Sequence, residues 1–250
     1  MKLIVRVDDL GFSEAVNYGI HKVLKEGVVT AVGLMVNMPV AEKGYQLIQD
    51  SSISLGLHVN ISNGPPVTSG QLPTLCNREG TFFSSREINQ RATDTVDLEE
   101  AITEIDGQVR RFKEITGKKP AYMDGHAVTS PVFFKAISQV AKSHEVFDVQ
   151  FSQDWQKETG ISLAKWFKPD AHGLYNPLTY LIEDQGDILN KACAMVVFHP
   201  GFLDQYVLTH SSFTTIRTLE AEALCDPILK QWIREQQIQL CDFSDWEVRA

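Results

Sequence analysis

Leu3-Ile4-Val5-Arg6-Val7-Asp8-Asp9-Leu10-Gly11 opens the chain as a short apolar run, rich in β-branched residues, that ends in two carboxylates and a glycine. Such a run reads as a buried strand. Side chains alternate across a strand, so this reading sends Asp8 and Asp9 to different sides and lets them hold different jobs. Three later runs of strand character end on a histidine: Leu55-Gly56-Leu57-His58, Ala121-Tyr122-Met123-Asp124-Gly125-His126 and Met195-Val196-Val197-Phe198-His199. Acids and imidazoles collected at the ends of separate strands are how a metal site is assembled in three dimensions.

Helical signals fill the intervals. Ser13 is placed to cap a helix with Val16, Ile20, Val23 and Leu24 on one face, closed by Gly27. A β-rich run follows over 28–36, then a short helix over 41–48 and the strand 53–59 that carries His58. Asp97, with Glu100 in capping-box position, opens a helix faced by Leu98, Ile102, Ile105, Val109 and Phe112. Ser130-Pro131 and Asp226-Pro227 open two more, since proline is favoured in the first turn. Further strands are predicted over 118–124, 146–151, 194–198 and 238–243, and a helix from about Thr215. Strands alternating with helices indicate a parallel sheet with covering helices. About seven such units over 1–250 predict one α/β domain, a (β/α) barrel of TIM-like type, distorted or seven-stranded. In such barrels the site forms at the C-terminal strand ends. Two long irregular stretches, 61–96 and 152–190, are predicted to be loops over that site, and 203–213 is also read as loop.

The formal charge of −9, with no dense Lys/Arg cluster, argues against a nucleic-acid surface. Cys76, Cys193, Cys225 and Cys241 are scattered, which disfavours structural zinc and a disulfide framework and suits a reducing compartment. No signal peptide and no run of membrane-spanning length is seen, so a cytoplasmic protein is expected. Phosphate-loop, nucleophile-elbow and dinucleotide fingerprints are absent from the sequence. One carboxylate and two imidazoles form a common catalytic metal set. A divalent ion held this way activates water and polarises a carbonyl, while a further carboxylate and a further histidine serve as base and acid.

Val7-Asp8-Asp9-Leu10-Gly11, Gly56-Leu57-His58-Val59-Asn60, Asp124-Gly125-His126 and His199-Pro200-Gly201 together resemble the four motifs of the YdjC-like carbohydrate deacetylases, which include the chitooligosaccharide deacetylases. The likeness runs in order across nearly the whole chain and extends to a late Arg217, Glu220, Glu222, Leu224 pattern. It implies a barrel related to NodB-type deacetylases and a divalent ion held by Asp9, His58 and His126. It also implies Asp8 as general base, His199 as general acid, a small N-acetylated oligosaccharide as substrate and a homodimer. Magnesium is the ion the resemblance suggests, while two imidazole ligands suit zinc or manganese. Asp124 is a candidate to orient an imidazole, and Arg217 to pair with Asp8 or another site acid. Trp155, Trp166 and Tyr175 are candidates to stack on sugar faces, with core or interface packing as the alternative. His210 is placed near the pocket, and His21 and His144 on the surface. Two competing readings use the same barrel: a metal-dependent hydrolase of another amide or a phosphoester, and a non-catalytic sugar-binding protein. The lack of a basic phosphate cradle counts against the phosphoester, and the retained Asp8-Asp9 pair against the sugar-binding protein.

Overall fold

The computed structural model describes residues 1–246 of the 250-residue chain. The opening run forms β1 (Lys2–Leu10), and Ser13 caps α1 (Glu14–Glu26) by accepting the Val16 N–H. Next come β2 (Ala31–Leu34), α2 (Ala41–Ile48), β3 (Ser54–Val59), the short α3 (Ser85–Asn89) and the long α4 (Leu98–Thr116). The Asp97 carboxylate caps α4, and left-handed Gly117 ends it. The second half runs β4 (Tyr122–Gly125), α5 (Pro131–Ser143), β5 (Phe147–Asp148), α6 (Gln153–Thr159), β6 (Ile161–Leu163), α7 (Pro177–Ile182) and β7 (Cys193–Phe198). It ends with α8 (Gln205–His210), α9 (Thr215–Cys225), α10 (Pro227–Glu235), β8 (Gln239–Leu240) and a 3-10 turn at Phe243–Asp245.

Every ladder is parallel, and the strand order is β5-β4-β3-β2-β1-β7-β6, with β8 paired to the first residues of β1. Alternation along the strands divides the apolar side chains between two clusters. Leu3, Val5 and Val7 join the large cluster that includes the buried faces of α1, α4 and α5. Ile4 joins a smaller one with Tyr122, Phe147, Trp155, Ile161, Met195 and Phe243. That second cluster unites side chains from both sheet edges, β5 and β6, so the sheet curls around it.

The α/β expectation is met as a curled parallel sheet with helices outside it, whereas a closed TIM barrel is not what forms among the described residues. No ladder joins β5 to β6 there, and α6 lies across the opening. Its Trp155 indole N–H donates to the Asp148 carbonyl of β5 at 2.7 Å, and its Gln156 Oε1 accepts the Leu163 N–H of β6 at 2.9 Å. The expected loops also carry more structure than their composition suggests. The 152–190 stretch holds α6, β6 and α7, the 61–96 stretch holds α3, and 203–213 contains α8 rather than loop alone. The predicted strand 146–151 is shortened to Phe147–Asp148, and 238–243 to Gln239–Leu240.

The segment after β3 is pinned from below by α4. Glu104, fully buried, accepts the Val67 and Thr68 N–H groups, the Thr68 hydroxyl and the Gln108 amide. Gln108 also clamps the backbone of Asn60 through both its N–H and its carbonyl. Four donors converging on one buried carboxylate fix the path of the chain directly after His58.

Candidate metal centre and active site

Asp9 departs from the alternation expected of it. Val7 pairs with Val32 and Leu10 with Leu34, so β1 carries one extra residue against β2, and Asp9 takes φ +74°. Aspartate tolerates this left-handed conformation better than most residues. The bulge turns its side chain back, and both Asp8 and Asp9 line one cavity. The expectation that the two acids face opposite sides is therefore corrected: a β-bulge at a strand end re-aims a side chain. Gly33 on β2 makes room for them, since a Cβ there would stand 2.8 Å from Asp8 Oδ1 and 3.0 Å from His58 Cβ.

His58 in β3 and His126, one residue beyond β4, meet Asp9 at the strand ends. Asp9 Oδ1 lies 3.0 Å from His126 Nδ1 and 3.4 Å from His58 Nε2, and the two imidazole nitrogens are 3.1 Å apart. Asp124, predicted to orient an imidazole, holds His58: its two oxygens lie 3.0 and 3.1 Å from Nδ1. With the Nδ1 proton committed to Asp124, the neutral His58 ring presents its Nε2 lone pair toward Asp9 Oδ1 and His126 Nδ1, where the surrounding carboxylates favour a second proton or a cation in its place. Asp9 Oδ1 has no hydrogen-bond partner. A carboxylate oxygen and two imidazole nitrogens converging on one point suit a cation in place of ring protons. A hard oxygen and two imidazole nitrogens suit a divalent ion.

Asp8, His58 and Asp124 also come within ligand distance of one another. A guanidinium already serves both of those acids, however: Arg6 Nη2 lies 2.7 Å from Asp8 Oδ2 and 2.8 Å from Asp124 Oδ2. Arg217, predicted to pair with Asp8 or another site acid, pairs with Asp9, its Nη2 2.7 Å from Oδ2. All six of these side chains are buried. Burial raises the Asp8 carboxyl, with Arg6 and His58 working against that rise. For Asp9 burial acts in the same sense but His126 and Arg217 outweigh it, holding its carboxyl well below the usual range. Burial likewise opposes charge on His58, and the Asp124 and Asp8 carboxylates overcome it, raising the imidazole well above its ordinary value. The cluster draws positive charge to itself.

His199 follows β7. The guanidinium of Arg217 donates to its carbonyl at 3.3 Å, and the Glu220 carboxylate accepts its N–H at 2.5 Å. Its ring lies nearly parallel to Phe213, with centroids 5.2 Å apart. Burial pushes the imidazole down to about 3, so it is neutral at pH 7. The cavity above these groups measures about 660 Å³ and has aromatic walls from Phe12, Phe151, Trp166, Phe167, Tyr175 and Phe213. Trp166 and Tyr175 thus reach the position predicted for them, and His210 lines the cavity too. Trp155 does not: it packs on Phe147 at the seam. His21 bonds the Leu47 carbonyl, and His144 pairs with Asp106.

Sequence reasoning gives no role to Arg6, Asn63 or Glu220, although Glu220 stands in the late Arg217, Glu220, Glu222, Leu224 pattern. Arg6 had a signal, being an arginine two residues before Asp8 and hence on the same strand face. Asn63, whose Nδ2 lies 3.4 Å from His126 Nε2, had none beyond its nearness to His58 in sequence.

The profile of the YdjC-like protein family matches residues 2–235. A carbohydrate deacetylase 2 of Listeria innocua is 31% identical over 98% of both chains. A carbohydrate deacetylase of Brevibacillus brevis is 32% identical over 98% of this chain and 99% of its own. A chitooligosaccharide deacetylase of Yersinia pestis is 26% identical over 97% and 98%. Among solved structures, a protein from Enterococcus faecalis described as a candidate for cellobiose-phosphate cleavage superposes with a TM-score of 0.85, at 20% identity over 98% of both chains. A family 4 acetyl xylan esterase from Clostridium thermocellum, solved with cobalt, gives 0.52 at 12% identity over 98% and 89%. At those identities the two structures speak to the fold alone.

Proposed function

The chain belongs to the YdjC-like family, and on that premise we propose that it is a single-domain, metal-dependent carbohydrate deacetylase. It removes the acetyl group from small oligosaccharides containing N-acetylglucosamine and releases acetate. The observation that carries this reading is the convergence of Asp9 Oδ1, His58 Nε2 and His126 Nδ1 at the floor of an aromatic-walled cavity.

Asp9, His58 and His126 would hold one divalent ion, which when bound would supply Lewis acidity. Magnesium, manganese and zinc are the ions to try. Asp8 is the general base: its Oδ1 is buried without a partner, while Arg6 occupies Oδ2 and fixes the carboxylate. His199 faces the same cavity from the end of β7 and donates to the departing amine. Because burial keeps it neutral, the proton it passes to the amine is the one Asp8 removes from the attacking water. Asp124 holds the His58 ring in the tautomer that leaves Nε2 free, and Arg217 holds Asp9. The 61–96 and 152–190 segments supply the walls that select substrate.

The protein is further read as a cytoplasmic homodimer. Among the described residues no helix is long and apolar enough to cross a membrane. A bond from the Phe202 N–H to the Ala15 carbonyl sets exposed Phe202 and Leu203 near exposed Tyr18, an apolar surface suited to a second copy. Sedimentation equilibrium tests the dimer. The activity is tested by acetate release from N,N′-diacetylchitobiose, using protein stripped with chelator and reloaded with each ion in turn. Restored release supports the reading. No release with any ion, in protein that binds one, contradicts it.

A further inference from the structure

Glu220 on α9 is buried, and each of its carboxylate oxygens has a different duty. Oε2 accepts the backbone N–H of His199 at 2.5 Å, and Oε1 accepts the phenol of Tyr175 at 2.7 Å. One turn earlier on the same helix, Arg217 donates to the His199 carbonyl. Helix α9 therefore grips both polar groups flanking the His199 α-carbon. Tyr175 belongs to the cavity wall: it stacks face to face on Phe167 with centroids 3.8 Å apart, and Phe167 stacks in turn on exposed Trp166. The backbone of the imidazole and one ring of the aromatic wall are thus tied to a single carboxylate.

We propose that Glu220 is a positioning residue that couples the aromatic wall to His199, so that movement of Tyr175 when a sugar packs on the wall is transmitted to the imidazole. The role given to His199 rests on the deacetylase reading above. The coupling itself rests on two hydrogen bonds to opposite ends of one buried group. In a buried site a displaced acceptor leaves its donor without a partner, so neither bond shifts independently of the other.

Two readouts test this. In acetate release from N,N′-diacetylchitobiose, Tyr175→Phe is expected to lower kcat about fivefold, the worth of one lost hydrogen bond. It should lower kcat no further in a Glu220→Ala background, because coupled residues are non-additive. Glu220→Gln, whose amide accepts from His199 and donates to the phenol oxygen, should recover most of the kcat lost in Glu220→Ala. Additive effects of the two substitutions overturn the coupling.

The second readout does not depend on turnover. In ¹⁵N-labelled protein the His199 amide resonance should move upfield in Glu220→Ala, and part of the way in the same direction in Tyr175→Phe. A His199 amide unmoved by Tyr175→Phe overturns the proposal, and that comparison stands even if Glu220→Ala does not fold. Wild-type protein that binds metal yet releases no acetate would count against the deacetylase reading, leaving the amide shifts to decide the coupling.

Discussion

Arg6 and Asp8 stand two residues apart on one face of β1, and a single Arg6 nitrogen, Nη2, lies 2.7 Å from Asp8 and 2.8 Å from Asp124. The guanidinium fills the layer between the apolar interior around Ile4 and the acids at the strand ends. It offsets the repulsion between two buried carboxylates, leaving Asp8 Oδ1 free for a proton.

Replacing Arg6 by methionine keeps much of its volume but leaves both acids uncompensated. Breaking a buried pair by removing one partner costs about 3–5 kcal/mol. Urea unfolding of Arg6→Met should show a loss of that order. A loss below about 1 kcal/mol would mean the guanidinium is not what makes the burial of Asp8 and Asp124 tolerable.

Glu220 gives a pH signature. Burial raises its carboxyl from 4.5 to about 7, against the bonds from His199 and Tyr175 and the charge of Arg217, with Asp9 adding to the rise. The folded state thus binds more protons than the unfolded state between those values. The associated stability is full below pH 4.5 and is lost as pH climbs through 7. At about 1.4 kcal/mol per unit, the wild type should lose about 3 kcal/mol more than Glu220→Gln between pH 4.5 and 8. Parallel stability curves for the two proteins would contradict this.

Glu104 predicts where the chain opens. A glutamine there must turn an N–H toward donors that now share one carboxylate. Hydrogen bonds to a charged group contribute about 1.5–3 kcal/mol each. Glu104→Gln should therefore lose about 2 kcal/mol of stability and become sensitive to limited proteolysis within 61–96. Wild-type resistance of that segment would show that α4 does not hold it.

Much of the site was legible because its residues end short apolar strands. Asp8, His58, Asp124, His126 and His199 all stand where the apolar run stops. The turning of Asp9 was not legible, since alternation assigns it to the other face and only a bulge against β2 reverses that. Strand β6 escaped notice because Ile161-Ser162-Leu163 is too short to show a period. The open seam depends on side-chain bonds from Trp155 and Gln156 to two strand ends, and composition cannot foretell those. Trp155 looked like a cavity aromatic for the same reason: a tryptophan reads alike in sequence whether it lines a cavity or fills the interior of the sheet.

The division of labour between the adjacent aspartates is the centre of the account, and it is tested by measuring metal content and acetate release together in Asp8→Asn and Asp9→Asn. Asparagine preserves size and tolerates the backbone at position 9. Asp8→Asn should bind one divalent ion per chain and lose turnover by about 10²–10⁴-fold, as expected for a missing general base. Asp9→Asn should lose the ion itself. Full turnover in Asp8→Asn, or undiminished metal affinity in Asp9→Asn, would contradict the assignment of base and ligand to these two residues.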